Sequence, residues 1–350
     1  MRNCHKHILA VGLSDASDYK GLPVIGNLQG LYSGLQAYKL WPVGLLLLGW
    51  VCFYRGSYPR RPHAKSRSMA RRIMSMAIIL IGGIFFVNNW PFRAVTFDQY
   101  HGDRGIMPYQ KFIDYVRQRE GLTFWAHPEA AQTRRLGCVD IKTKKYTSDL
   151  RETQNYTGFA IFPDGYKEIG FPGGLWDEIL GEYCRGERLR PAWAIGELDF
   201  HYRRDLSARI KNVRNILLVK AVSYPEIMQA LREGRIYAMQ GKRSAEFVLD
   251  TFAVRDSATD IEKTMGQELS LTGMPELRIR GHFLNNQIQN VQIKLIHNGK
   301  VIKVYEVPAP FDIRYEGRRS HKNIKDYYRL QIRTQGLLLI TNPLFVSSKA

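Results

Sequence analysis

The segment GELDFH places Glu197, Asp199 and His201 two residues apart, directly after the apolar run PAWAI. In an extended strand, residues i, i+2 and i+4 point to one side. The spacing therefore predicts two carboxylates and an imidazole on a common face. Unpaired charge inside a core is costly, so such a face needs a cation, hydrogen-bond partners or water. Two further segments repeat the combination where an apolar run ends: FDQYHGD supplies Asp98, His101 and Asp103, and WAHPEA supplies His127 and Glu129. A mixed His/carboxylate set suits a divalent transition metal such as Zn, Mn or Fe with positions left open for water. Water on such a metal becomes a nucleophile near neutral pH. The competing reading is structural, with His127 held by hydrogen bonds at a strand end and Glu197 and Asp199 paired with Arg203 or Arg204.

The elements that would position these residues read as alternating strands and helices. Ala94–His101, Leu122–Pro128, Thr157–Phe162, Pro191–His201 and Asn215–Ala221 are strand candidates. Met107–Gly121 has apolar residues at Tyr109, Phe112, Ile113 and Val116, the spacing of one helical face. Ser223–Gly234 reads as a helix with a Ser cap and a Gly stop. Alternation of this kind argues for a parallel α/β layer or barrel, with active-site residues at the carboxyl ends of its strands. After Thr251 the pattern becomes all-β. NVQIKLIHNGKVIKVYEV alternates apolar and polar residues on both sides of Asn298–Gly299, a hairpin signal. A small β-sandwich is expected there.

Ahead of both regions, Ile73–Trp90 is an uncharged run of 18 residues and Leu40–Tyr54 one of 15. Each reads as a transmembrane helix, the second once extended back to Gly34. Between them Arg55–Arg72 carries seven Lys/Arg and no acid. A nucleic-acid-binding arm would show the same charge, but a short basic loop between apolar segments follows the positive-inside rule. The loop is then cytoplasmic, and the C-terminal regions are periplasmic or otherwise extracytoplasmic. The formal net charge of +19 reflects this: residues 1–93 hold 12 Lys/Arg against 2 Asp/Glu, and the remainder 39 against 30. No specific nucleic-acid partner is expected; a lipid bilayer is. HILAVGL (His7–Leu13) is too short for a signal-peptide core. The His-x-His at His5–His7 reads more readily as an isolated pair than as metal ligands. The predicted organisation is an N-terminal segment (1–33), two membrane helices (34–93), an α/β domain (94–250) and a β domain (251–350).

The sequence contains no GxSxG elbow, no GxxxxGK[ST] loop and no HExxH. The Gly pair of PGGLWDEIL (Pro172–Leu180) precedes a helix and reads as a turn and cap before it reads as a phosphate cradle. Four Cys show no CxxC; Cys138 and Cys184 are candidates for a disulfide outside the cytoplasm.

LTFWAHPEA, the Asp-x-His of ELDFH, ALREGRIYA (Ala230–Ala238) and LITNPLFV together resemble the PHP (polymerase and histidinol phosphatase) domain, in the branch that carries a β-sandwich after the metallo-domain. The resemblance covers about Val95 to Val346. It implies a distorted β/α barrel binding one to three metal ions and hydrolysing phosphoesters or related bonds. By motif, His127, Asp199 and His201 are the implied ligands, with Asp98 and His101 standing where the family opens with His-x-His. Glu129 or Glu197 reads as a further ligand or the general base, and Arg134, Arg135 and Arg203 lie near these segments as candidates to hold an anionic small molecule or phosphoester, with solvated surface as the competing reading. The expected function is a membrane-anchored, metal-dependent phosphoesterase. The alternative is a non-catalytic binding or scaffold protein on a degenerate barrel of this type.

Overall fold

A computed structural model describes residues 6–23, 31–32, 34–57, 65–94, 97, 104–136, 139–199, 212–241, 247–285, 287–317 and 325–348. Two compact units are present, one of Met1–Cys4 and Ser14–Tyr115 and one of His5–Leu13 and Val116–Ala350. In chain order the elements begin with β1 (Ile8–Val11), α1 (Ala16–Lys20), β2 (Leu31–Tyr32), α2 (Trp41–Ser57), α3 (Lys65–Asn88), β3 (Arg93–Ala94) and α4 (Met107–Gln118). They continue with β4 (Leu122–Trp125), β5 (Thr133–Leu136), β6 (Val139–Lys142), α5 (Thr147–Glu152), β7 (Gly158–Phe162), α6 (Leu175–Cys184), β8 (Trp193–Gly196), β9 (Val213–Leu217), α7 (Tyr224–Glu233) and β10 (Ile236–Gly241). The final strands are β11 (Phe247–Asp256), β12 (Glu262–Thr264), β13 (Glu268–Leu271), β14 (Pro275–Phe283) and β15 (Gln289–His297). After them come β16 (Lys300–Ala309), β17 (Phe311–Glu316), β18 (Lys325–Thr334), β19 (Leu337–Thr341) and β20 (Leu344–Ser348). The chain is a mixed α/β protein.

The first unit contains two helical stretches, Ala37–Arg55 (19 residues, with the turn ahead of α2) and Met69–Asn88 (20 residues), each long and apolar enough to cross a membrane. Leu47, Trp50, Met74, Leu80 and Ile84 lie on their surfaces, where a core helix of a water-soluble domain would bury such residues. Small residues let the two helices approach. A Cβ on Gly49 would stand 2.7 Å from Ile79 Cγ1, and one on Gly82 would stand 3.1 Å from Leu46 Cδ2. Trp41 at the start of α2 meets Phe85 near the end of α3, with ring centroids 5.2 Å apart. Gln36 N donates to Pro91 O. This antiparallel pairing puts Trp41, Trp90 and Phe92 at one end and the end of α2 at Ser57 and the start of α3 at Lys65 at the other.

In the second unit, β4, β7 and β8 run parallel, and β1 closes the edge antiparallel to β4, in the order β1-β4-β7-β8. β4, β7 and β8 are buried on both faces, as unbroken apolar runs predict for a parallel sheet. Of the expected first strand, Ala94–His101, only Ala94 and Phe97 are described. Of its described residues only Ala94 is in a strand, β3, which pairs with β2; the edge position belongs to Ile8–Val11. β8 is then carried towards the second sheet by side chains in place of a ladder. Asn215 of β9 accepts from Gly196 N (2.7 Å) and donates to Gly196 O (2.8 Å). Asn342 likewise accepts from Ala194 N (2.7 Å) and donates to Ala194 O (3.2 Å). An amide side chain has one acceptor and one donor end, so each Asn stands in for a strand neighbour. Among the described residues the ladders do not close into a barrel.

β9 and β10, from the region before residue 251, pair within the same eight-stranded sheet as β13, β15, β16 and β18–β20. A four-stranded sheet, β12-β11-β14-β17, lies against it. Their shared core includes Phe252, Leu277 and Ile279 from the smaller sheet and Ile293, Leu330 and Leu339 from the larger one, each such burial contributing ~1.5–3 kcal/mol. Asn298 (φ 47°) and Gly299 (φ 79°) form the predicted two-residue turn between β15 and β16. α7 ends as expected at Gly234 in the left-handed conformation (φ 72°). Ser223 occupies its N-cap without a side-chain hydrogen bond, and Pro225 sits in its first turn.

The Gly pair ahead of α6 is not an open anion cradle. Asp177 accepts from Gly173 N (2.7 Å), from Tyr327 Oη (2.8 Å) and from Arg329 Nε (2.8 Å) and Nη2 (2.5 Å). A carboxylate inside the chain therefore already occupies the helix start. Cys184, at the end of α6, is a free thiol, and burial pushes it up to about 12; its expected partner Cys138 lies outside the described residues.

Candidate functional site

The carboxyl ends of the parallel strands converge. β4 stops two residues before His127, β7 two before Asp164, and β8 immediately before Glu197. Because β1 is antiparallel to β4, with Ile8 opposite Trp125 and Val11 opposite Leu122, its amino end reaches the same edge. Ala126 N donates to His7 O at 3.1 Å, so the ladder continues one step and delivers the His7 side chain beside His127. The two imidazoles meet edge to face, His7 Nδ1 standing 2.9 Å from His127 Nε2. Asp199 Oδ1 lies 3.8 Å from the same Nε2.

The backbone at both positions is unusual for these residue types: φ is 25° at His127 and 46° at Asp199. Left-handed conformations away from glycine cost on the order of 1–3 kcal/mol and concentrate at functional sites. At Asp199 the turn corrects the strand expectation. β8 ends at Gly196, whose N–H and C=O are taken by Asn215, so Glu197 and Asp199 lie in the following loop and not on a shared strand face.

Glu197 is bound across the sheet. Its backbone N donates to Phe162 O (3.0 Å), and its Oε1 accepts from the backbone N of His127 (2.6 Å). Burial pushes its carboxyl up to about 8; the His127 N–H opposes this, while the charges of Asp199 and Asp164 add to it. Burial thus favours the protonated form of Glu197, whose carboxyl is held 2.6 Å from the His127 backbone N.

Glu129 has a different task from the general base expected of it. Its oxygens accept from the backbone N–H groups of Lys167 (2.9 Å), Glu168 (2.7 Å) and Ile169 (2.7 Å), and its own N donates to Asp164 O. It is buried and caps the helical turn Tyr166–Gly170. The carboxylate thus pins the loop after β4 to the loop after β7, the loops that shape the site.

Arg135 lies on β5, exposed, opposite Asp140 of β6. Arg134 is its neighbour on the same short strand, opposite Ile141. Asp98, His101, His201 and Arg203 lie outside the described residues. Of the ten predicted site residues, the structure brings His127, Glu197 and Asp199 together and gives Glu129 to the supporting frame.

His7 was missed as a partner of this group, although HILAV after His-Lys-His carried the signal of a short apolar strand bounded by Gly12. Tyr146 and Asp149 gave no such signal. Tyr146 Oη donates to Ala126 O and stands 3.3 Å from His127 Nδ1. Asp149, at the start of α5, pairs with Lys6 Nζ at 2.6 Å, both largely buried. The residue between the two histidines of His5–His7 is thereby fixed to the segment that carries Tyr146.

Two imidazoles and a carboxylate are metal-ligand types, and donors on one Zn²⁺-like ion stand ~3–3.5 Å apart given bond lengths of ~2.0–2.2 Å. The 2.9 and 3.8 Å separations bracket that range. Among the described residues, no group of three or more His, Cys, Asp or Glu is already arranged to hold a metal ion. The described donors stand as a close imidazole pair with Asp199 adjacent. No protein-family model matches the chain, and no curated protein matches it.

Proposed function

We propose that the chain is a membrane-anchored, metal-dependent hydrolase of the PHP type that acts on phosphoesters. The observation that carries this reading is the meeting of His7, His127, Glu197 and Asp199 at the carboxyl end of three parallel strands. His7, His127 and Asp199 would hold a divalent transition metal. When bound, such an ion supplies Lewis acidity and a nucleophilic hydroxide near neutral pH. Glu197, whose carboxyl lies against the His127 backbone, is the group that would deliver a proton to a leaving alkoxide. Arg135, exposed on β5 with Arg134 next to it in the strand, would hold an anionic substrate. The resemblance to the family is supported at its weakest element, since His5-Lys6-His7 ahead of β1 supplies a first-strand His-x-His that DQYHGD does not. A distorted barrel followed by a sandwich is the finer fold that belongs to this reading. α2 and α3 then anchor the chain as a hairpin, with the basic 55–72 connection on the cytoplasmic side and the catalytic unit on the opposite side.

A scaffold protein on the same frame is the second reading, favoured by the absence of a ready three-ligand group among the described residues. Elemental analysis of the full-length chain decides between them, with the His127→Ala, Asp199→Ala double variant alongside. The full chain is required because a fragment starting at Ala94 omits β1 and His7. One or more equivalents of Zn, Mn or Fe in the wild type, lost in the variant, are expected together with hydrolysis of p-nitrophenyl phosphate. A folded wild type that stays empty after metal loading sinks the hydrolase and leaves the scaffold.

A further inference from the structure

We infer that Tyr146 is a positioning residue for this site: it fixes the proton of His127 on Nδ1 and so turns the Nε2 lone pair towards His7 and Asp199. The inference rests on the metal reading above. A carbonyl oxygen has no proton to give, so the hydrogen bond between Tyr146 Oη and Ala126 O commits the phenol hydrogen to Ala126. The phenol oxygen then faces His127 Nδ1, 3.3 Å away, with lone pairs only. A favourable contact there requires the proton to be on Nδ1. Nε2 is left as the basic nitrogen, 2.9 Å from His7 Nδ1 and 3.8 Å from Asp199 Oδ1.

The phenol is itself immobilised. Tyr146 is 2 % exposed, its backbone N donates to Pro128 O (3.0 Å), and its ring packs on Trp125 with centroids 5.7 Å apart. His127 carries a strained φ of 25° and is almost fully buried, so its ring cannot swing away to choose another partner. The same short segment also orients the other imidazole, because Asp149 holds Lys6, the neighbour of His7. An unconstrained neutral imidazole favours the opposite tautomer, with its proton on Nε2. That proton would block the nitrogen a metal needs, so the partner on the far ring nitrogen decides whether the ligand is usable.

The test uses the full-length chain in detergent micelles, stripped of metal, ¹⁵N-labelled at histidine and held at about pH 8 so that imidazoles are neutral. Long-range ¹H–¹⁵N spectra distinguish protonated from unprotonated ring nitrogens, and a His127→Gln variant identifies the resonances of His127. The wild type is expected to show the Nδ1–H tautomer. Tyr146→Phe is expected to move the proton to Nε2 and to weaken Co²⁺ binding, titrated by absorption, by about 10–100-fold. A wild type in the Nε2–H tautomer overturns the inference, as does a Phe variant that keeps Nδ1–H and binds Co²⁺ as well as the wild type. If the Phe variant does not fold, the wild-type tautomer alone decides. A wild type with Nδ1–H that takes up no Co²⁺ refutes the proposed metal function while the control of the tautomer stands.

Discussion

Glu197→Gln should make the metal-free protein more stable, and by an amount that grows with pH. Burial raises the Glu197 carboxyl from an ordinary 4.5 to about 8 in the folded chain. The folded state therefore binds a proton more tightly than the unfolded chain does. The stabilising contribution of the protonated acid is complete below about 4.5 and is lost as pH rises through about 8, where the folded protein must ionise a buried group beside Asp199 and Asp164. At ~1.4 kcal/mol per pH unit, the interval from 4.5 to about 8 corresponds to a loss on the order of 5 kcal/mol. Gln cannot ionise, and its Oε1 can still accept from the His127 N–H that Glu197 now engages at 2.6 Å. The variant should thus match the wild type near pH 4.5 and exceed it progressively up to pH 8–9. At ~2–4 °C per kcal/mol for a unit of this size, the gap at high pH should be about 10–20 °C. Thermal unfolding of both proteins in micelles with a chelator, followed by tryptophan fluorescence across that pH range, measures the difference directly. A gap that is constant with pH, or that shrinks as pH rises, would refute the argument that desolvation governs Glu197.

Two further substitutions probe the frame around the site. Asp177→Ala leaves Arg329, which is fully buried, without its carboxylate. Breaking a buried pair on one side costs about 3–5 kcal/mol, so the melting temperature should fall steeply, and the Asp177→Leu, Arg329→Met double variant should recover most of the loss. Asn215→Ala removes the amide that holds the N–H and C=O of Gly196 at 2.7 and 2.8 Å; about 1–3 kcal/mol should be lost. Because Gly196 immediately precedes Glu197, Co²⁺ affinity should also drop. Unchanged affinity in a folded Asn215→Ala protein would show that Gly196 does not position the site.

The features legible in the sequence are those encoded locally. An uncharged run of 18 residues, an Asn-Gly pair between alternating strands, and Gly234 after a periodic helix each carry their own physical cause within a few residues, and each lies where it was expected. His127, Glu197 and Asp199 were legible for the same reason, as polar residues where apolar runs end. What escaped depended on distant partners. Glu129 looks like a base in WAHPEA until three backbone N–H groups arrive from a turn about 40 residues later. GELDFH keeps a strand-like alternation, but Asn215 ends the ladder at Gly196 and the left-handed Asp199 turns the chain aside.

The position of β1 was hidden most completely, because four residues are too few to show a period and their partner, β4, is more than 100 residues away, beyond α2 and α3. Such an interruption is thermodynamically mild. The entropy of closing a loop rises by only ~0.6 kcal/mol for each doubling of its length, so a short edge strand can remain paired after a long insertion as long as its contacts are specific. Here the ladder from Ile8–Val11 to Leu122–Trp125, the Lys6–Asp149 pair and the His7–His127 contact supply that specificity. On the proposed reading, the residues before α2 therefore belong to the site. A chain cut at Ala94 would keep Glu197, Asp199 and one imidazole, yet lose the second imidazole and the strand that covers the edge of β4. Such a fragment should bind Co²⁺ far more weakly than the intact chain even if it folds. Equal affinity in the two would mean that His7 is a bystander and that the second nitrogen ligand lies elsewhere.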